Sequence, residues 1–343
     1  MRYIFDIETN GFLDECDTAH CIVLKDIDTN EIHKLDNKSA VKKLEEAELL
    51  IGHNIIKFDI PVLEKLFSAT FKGKIFDTIV ATRLLFSDIR ETDFARKDFP
   101  KDCIGRHSLK AWGNRIGKYK EQIDTDWKTF TPEMLDYCVQ DVEVTHSLYN
   151  VINKKGYSQQ AMDLEHEVAQ IIFKQERYGF TFNRKKAEEL YTILNSRRIE
   201  LAEKLQTIFL PITEERWSVK TGKKLKDSIT IFNPSSRHHI AKRLKDKYGW
   251  EAKEFTPDGK PKLDDSILSK LDYPEAKILC EHFLLDKRIA QLATGTQAWL
   301  KHERKGKIHG TCNTNSCVTA RASHSFPNLG QIPSTTVPFG KEC

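Results

Sequence analysis

Tyr3-Ile4-Phe5-Asp6-Ile7-Glu8 is a short β-prone run that ends on two acids spaced two residues apart. Side chains alternate across a strand, so a strand here projects the Asp6 and Glu8 carboxylates to one face. Hard oxygen ligands on a rigid element suit Mg²⁺ or Mn²⁺, although a solvated strand end carries the same Asp-x-Glu pattern. Outward from this run, 21–26 and 32–35 are again short and β-prone, 39–49 is helical, and 49–52 returns to strand. A helix from about Ile60, a strand at 75–77 and helical segments after Thr78 and Ser108 follow. Thr131-Pro132 offers an N-cap with proline at the first helical position, and an apolar period then runs to Ile152. This order predicts an α/β domain over 1–155, a mixed sheet with helices packed on its faces.

Lys154-Lys155-Gly156 reads as a helix stop and linker, after which long charged helices take over. Helices are expected over 163–178 and 184–209, parted by 179–183 with Asn183 as N-cap. Another is expected from Ser235 or Ser236, and one more from about Pro274 to His302. The second domain is therefore mostly α, with no internal repeat and no low-complexity tract.

The chain has 343 residues, 39% of them hydrophobic, which is enough for two ordinary cores. Its longest apolar runs, 51–60 and 168–173, fall short of the roughly 18 residues of a membrane span. The strand-like Tyr3-Ile4-Phe5 stands where a signal or transit peptide would, so no membrane association and a cytoplasmic location are expected. The eight cysteines lack the paired short spacing of a zinc site or redox couple. Residues 1–150 hold 21 basic and 27 acidic side chains, against 33 and 23 in 151–343, so the halves carry opposite net charge. An acidic half concentrates divalent cations and a basic half neutralises phosphates, which suggests a nucleic-acid enzyme; solvated charge produces such splits as well.

Two further segments carry chemistry. Asp59 follows His53-Asn54-Ile55-Ile56-Lys57-Phe58 and precedes Ile60-Pro61, which places an acid at a helix start, a favourable position even without a function. Tyr137 and Asp141 lie four apart in the helix after Pro132 and share one face, as an ordinary surface or core pair also would.

Together, the acid pair on the first strand, the acid after an Asn-containing turn and the Tyr-x-x-x-Asp resemble the three exonuclease motifs of the DEDDy proofreading nucleases. The resemblance implies an RNase-H-like fold, two divalent ions (Mg²⁺ or Mn²⁺), and hydrolytic release of nucleoside monophosphates from a 3′ end. Two ions roughly 4 Å apart serve the attacking and leaving oxygens. On this reading Asp6 bridges both, Glu8 and Asp141 ligate one, and Asp59 holds the second through water. Tyr137, uncharged at neutral pH, orients the attacking water. Asn54 is placed to hold the terminal nucleotide. Asp77-Thr78 fits a familiar position in these nucleases, though a helix cap accounts for it too, and Ser108-Leu109-Lys110-Ala111-Trp112-Gly113 adds family likeness.

Gln175-Glu176-Arg177-Tyr178-Gly179-Phe180, Phe232-Asn233-Pro234-Ser235-Ser236-Arg237, Thr319-Ala320-Arg321-Ala322-Ser323 and Pro327-Asn328-Leu329-Gly330-Gln331-Ile332-Pro333 resemble the family A (Pol I-like) DNA polymerases, in particular their T-seven-like phage branch. The resemblance implies a thumb over 156–305 and the first part of a palm over 306–343. Ser235, Ser236 and Arg237 at a helix start offer a phosphate site. Lys242, Arg243, Lys245 and Lys247 extend it as a basic face or form a plain solvated helix. Lys287, Arg288, Arg321, Asn328 and Gln331 complete the set expected to grip a primer-template, partly through minor-groove acceptors.

Two departures from the family pattern matter. The stretch 211–230 is short where the coliphage member carries a large insertion that recruits thioredoxin, which argues against thioredoxin as a partner here. The sequence stops at Gly340-Lys341-Glu342-Cys343, before the palm aspartates and the fingers. A C-terminal polymerase half is therefore the expected partner, whether separately encoded, joined at Cys343 by splicing, or removed. The expected function is a proofreading 3′–5′ DNA exonuclease with a DNA-gripping thumb, in the host cytoplasm if phage-encoded. A DNA-binding assembly subunit of a two-chain polymerase and an RNase-D-like ribonuclease are the alternatives.

Overall fold

Along Arg2–Thr9 (β1) the side chains part to two faces: Tyr3, Phe5 and Ile7 enter one apolar cluster and Ile4 enters another. The structure, a computed structural model, describes residues 1–118, 123, 125–256, 258–337 and 339. The neighbouring strands Ala19–Asp26 (β2), Ile32–Lys34 (β3), Leu49–Gly52 (β4) and Lys74–Asp77 (β5) complete a sheet of order β3-β2-β1-β4-β5. β1 runs antiparallel to β2 and parallel to β4, so the sheet is mixed, as the element order predicts. β2 and β4 alternate in the same sense: Ile22, Leu24 and Leu50 join the Tyr3 side, while Cys21, Val23 and Ile51 join the Ile4 side.

Helices cover both faces. α1 (Asn37–Glu45) and α2 (Asp59–Phe67) pack on the Tyr3 side. α3 (Thr78–Leu85), α4 (Ile89–Phe94), α5 (Leu109–Ile116) and α6 (Pro132–Lys154) pack on the Ile4 side. Capping sets the starts. α1 begins at Asn37, earlier than its periodicity suggests, because Asp36 accepts from the Ser39 N–H. α6 does start at Pro132, but the Thr131 side chain makes no capping hydrogen bond, leaving proline's preset φ as the start signal.

α7 (Gln159–Tyr178) begins four residues before its expected start, because the Ser158 hydroxyl takes the Ala161 N–H at 3.3 Å. Its buried His166 accepts from the Asp77 N–H at 2.8 Å, and its Glu176 meets Lys57 at 2.8 Å and the Cys312 N–H at 2.6 Å. The chain accordingly divides into two compact units, Met1–Tyr178 with Thr311–His324, and Gly179–Gly310 with Ser325–Cys343.

The second unit is mainly helical. α8 (Arg184–Ile208) is capped by Asn183, as expected, and α9 (Arg237–Tyr248) by Ser236. α10 (Asp265–Leu268) and α11 (Pro274–Ile289) follow. Leu190, Leu194 and Leu201 of α8 pack with Leu285 and Ile289 of α11. The helix expected over 274–302 is interrupted. After Ile289 a π turn closes where the Gly295 N–H donates to the Ala290 carbonyl at 2.9 Å. A Cβ on Gly295 would lie 2.6 Å from that oxygen, so the break needs glycine, and helix resumes only at Trp299–His302. A second departure from the α pattern is a β-hairpin between α8 and α9, with strands Ile212–Trp217 and Lys224–Thr230.

Among the described residues no helix is long and apolar enough to cross a membrane, and seven cysteines are free thiols. Residues 340–343, with the reading placed on Cys343, lie outside the described residues.

Candidate active site

The acids of β1 face α6 because of strand alternation. Ile4, Asp6 and Glu8 share a face, and Ile4 lies in the cluster that Cys138, Val142 and Leu148 of α6 complete. α6 in turn buries Met134, Cys138, Asp141, Thr145, Leu148 and Ile152, a three-and-four spacing that carries Asp141 inward with its apolar neighbours. The Cys138 thiol donates to the Asp6 carbonyl at 3.3 Å and lies 3.6 Å from its Oδ2, which pins strand to helix beside the acids. Donor atoms of Asp6, Glu8 and Cys138 all lie within 4.8 Å of one another.

Asp59 is the first residue of α2 and only 3% exposed. Burial holds its carboxyl well above the ordinary carboxylate range, and the charge of Asp6 raises it further; its own N–H and that of Ile7 pull the other way. Asp141 is 4% exposed. Tyr137, one turn before it, packs edge-to-face on Trp127 at 5.9 Å. One cavity of about 800 Å³ is lined by Asp6, Glu8, Asp59, Tyr137 and Asp141, together with Asn54. The five side chains picked out by spacing, drawn from three distant segments, thus share one space.

The turn that carries Asn54 is built from beneath by Asp77. This buried carboxylate accepts from the N–H groups of Asn54 at 2.8 Å, Ile56 at 3.1 Å and Ile79 at 3.0 Å. Asp77 is therefore the cap of α3 and also the clamp of the 54–56 turn, where Asn54 adopts φ 68°. Burial raises the Asp77 carboxyl, and those three N–H groups oppose the rise. Alongside it, the Thr78 hydroxyl donates to the Gly52 carbonyl at 3.0 Å and so accepts from His53 Nδ1 at 2.8 Å. Sequence reasoning missed the aromatic walls: Phe12, 80% exposed, with Phe58 and Trp127. They stand on loops or a helix edge, where no period marks them.

The donor set suits a hard divalent cation. Four carboxylates line one cavity, two of them buried, and their repulsion and desolvation call for a countercharge. The soft donor grouped with Asp6 and Glu8 is Cys138, whose thiol burial holds far above its ordinary value; it stays protonated and acts as a hydrogen-bond donor. Oxygen ligands alone favour Mg²⁺ or Mn²⁺ over zinc.

The residues expected to bind nucleic acid are distributed unevenly. Lys287, Asn328 and Gln331 line a second cavity of about 260 Å³ in the helical unit. Ser236 caps α9, and the Ser235 hydroxyl is bonded to the Asp286 carboxylate. Arg288 is buried and bonded to Gln291 at 3.0 Å, while Arg237 is exposed. Arg321 is exposed and belongs to the first unit, whereas Asn328 and Gln331 belong to the second. Four basic residues of α9 are engaged locally: Lys242 with Glu214, Arg243 with the Leu210 carbonyl, Lys245 with Glu251 and Lys247 with Glu275.

Comparison with known proteins gives concordant results for the two regions. Residues 15–156 match the family model of a 3′–5′ exonuclease, and 212–342 match that of DNA polymerase family A. The chain is 32% identical to the DNA-directed DNA polymerase of Escherichia phage T7 and 31% identical to that of Enterobacteria phage T3. Each match covers 99% of this chain and 64% of the phage protein. Among solved structures, the polymerase domain of Pol1 from M. smegmatis, in complex with a DNA primer-template and dNTP, superposes with a TM-score of 0.67 at 15% identity. That match covers 98% of this chain and 54% of the other, and it shows a shared fold. The region of 15–156 is an RNase-H-like exonuclease domain, and 212–342 belongs to a polymerase-type region.

Proposed function

We propose that the chain is a family A DNA polymerase chain, whose family model and 3′–5′ exonuclease model its two regions match, and that it is a metal-dependent DNA exonuclease of the DEDDy type that removes nucleoside monophosphates from a 3′ end. The observation that carries the proposal is the single cavity into which three separated segments deliver Asp6, Glu8, Asp59, Tyr137 and Asp141.

Asp6, Glu8, Asp59 and Asp141 would hold two Mg²⁺ or Mn²⁺ ions. When bound, these supply Lewis-acid neutralisation of the charge that builds on the phosphoryl oxygens. Tyr137, set against Trp127, orients the attacking water with its hydroxyl. Asn54, fixed by Asp77, faces the terminal nucleotide, and Phe12 and Phe58 offer apolar faces to its base. Cys138 keeps the Asp6 segment in register against α6.

The chain with Mg²⁺ or Mn²⁺ should release mononucleotides from single-stranded DNA, and Asp6→Ala should stop it; persistence of release in the variant would defeat the assignment. Matched DNA and RNA oligonucleotides separate this reading from a ribonuclease, which would cut the RNA at least as fast.

The chain spans 64% of the length of the two phage polymerases. Templated synthesis is accordingly proposed only for the chain joined by a polypeptide that supplies the rest of palm and fingers. Mixing the two should restore synthesis on a primer-template, and failure to form a complex would remove this part of the proposal. Thioredoxin is left out, because the stretch between α8 and α9 consists of a short hairpin.

A further inference from the structure

The hairpin between α8 and α9 differs from the lysines and Arg243 of α9 in what its cations touch. Residues 216–226, Arg-Trp-Ser-Val-Lys-Thr-Gly-Lys-Lys-Leu-Lys, hold five basic side chains and no acid. Lys224 pairs with Glu215 at 2.9 Å and lies 6.0 Å from the Trp217 ring centroid. Arg216, Lys220, Lys223 and Lys226 are exposed and, among the described residues, make no ion pair or side-chain hydrogen bond. On α9, Lys242, Arg243, Lys245 and Lys247 are each held by a carboxylate or carbonyl of the same unit, and Arg237 at its start is exposed.

The same hairpin leaves its large apolar side chains in water. Trp217 is 57% exposed, and Val219 at the tip is fully so. The strand register sets Trp217 opposite Lys224, and Lys226 shares that face by alternation, so an open indole stands among ammonium groups. Lys242 of α9 ties the hairpin base through Glu214 at 3.0 Å, which anchors the element without using its tip.

We propose that this hairpin is a grip for single-stranded DNA, with a base stacked on Trp217 and neighbouring phosphates on Arg216, Lys220, Lys223 and Lys226. A polyanion fits four unneutralised cations, and an exposed aromatic ring among them fits an unstacked base, whose faces a duplex keeps hidden. The grip is independent of the carboxylate cavity and does not require its chemistry.

The test is fluorescence anisotropy of a 5′-labelled oligo-dT and of a duplex of equal length, in EDTA, across a salt series. Replacing Arg216, Lys220, Lys223 and Lys226 together by Gln should lower the slope of log affinity against log salt for oligo-dT by about 3. Trp217→Ala should weaken oligo-dT binding about tenfold and duplex binding far less, and Trp217→Phe should restore most of the loss. Unchanged slopes in the Gln variant overturn the proposal. So does an equal loss for duplex and single strand in Trp217→Ala, or a poly-glutamate peptide that competes as well as oligo-dT at equal charge, which would make the hairpin an acidic-peptide site. Because hydrolysis is not needed, the result is separable from the nuclease reading, which is tested by mononucleotide release from the unaltered chain and from Asp6→Ala in Mg²⁺ or Mn²⁺.

Discussion

The carboxylate cavity of the first unit and the hairpin of the second keep charge under opposite conditions. Asp59 and Asp141 are at 3% and 4% exposure, where an ionised group costs several kcal/mol unless countercharge arrives. Arg216 and its lysine neighbours sit in water at almost no cost, so their presence alone says little. Buried like charge therefore points to a ligand by itself, whereas exposed charge does so only after its neighbours are known. α9 makes the second half of that lesson concrete: Lys242, Arg243, Lys245 and Lys247, the more conspicuous in the sequence, are already satisfied.

The comparison breaks most visibly at Asp6. Asp6→Ala or Asp141→Asn should lower Mg²⁺-dependent mononucleotide release by at least about a thousandfold, measured on labelled single-stranded DNA. A residual rate within tenfold of the unaltered chain would mean that the buried acids serve structure only. Next in size is Asp77, whose carboxylate satisfies three N–H groups. Asp77→Ala should cost about 3–5 kcal/mol in urea unfolding and reduce hydrolysis as well, and an unchanged midpoint would show that the turn holds without it.

A smaller effect tests burial of a base in the first unit. Burial holds His107 down at about 4, with Arg83 and Arg115 adding to the effect and Asp93 opposing it. A depressed folded value means that the unfolded chain binds more protons below pH 6.5, so stability is lost as pH falls from 6.5 through 4. The loss is at most roughly 3 kcal/mol, and His107→Asn should flatten that part of the stability profile; an equal slope in the variant would contradict it. The smallest effect is expected on α9. Lys242→Gln with Lys245→Gln should change unfolding free energy by less than about 1 kcal/mol and leave the salt slope for oligo-dT unaltered. A slope change comparable to that of the hairpin variant would erase the contrast drawn between them.

Much of the first unit was legible because its signals are local. Alternation along Tyr3–Glu8 (3–8), proline at the start of α6 and the four-residue step from Tyr137 to Asp141 each follow from the geometry of one element. Asn183 and Ser236 were legible as caps for the same reason. What escaped depends on residues far apart in the chain. Asp77 reads as a helix cap, and its hold on Asn54 is made 23 residues away. Lys242 finds Glu214 across 28 residues, and Lys247 finds Glu275 across 28. The interruption after α11 turns on one glycine within an otherwise helical pattern, and the hairpin's turn, Lys-Thr-Gly-Lys, lies among charged residues that carry no apolar alternation.

Asn54 shows what such a clamp means for a population of variants. Its φ of 68° admits glycine readily and aspartate tolerably, and penalises valine or isoleucine before any contact is lost. A saturation library selected first for solubility and then for nuclease output should therefore sort in two steps. Glycine would pass the first sieve and fail the second, so the backbone's demand and the amide's contribution could be told apart at a single codon.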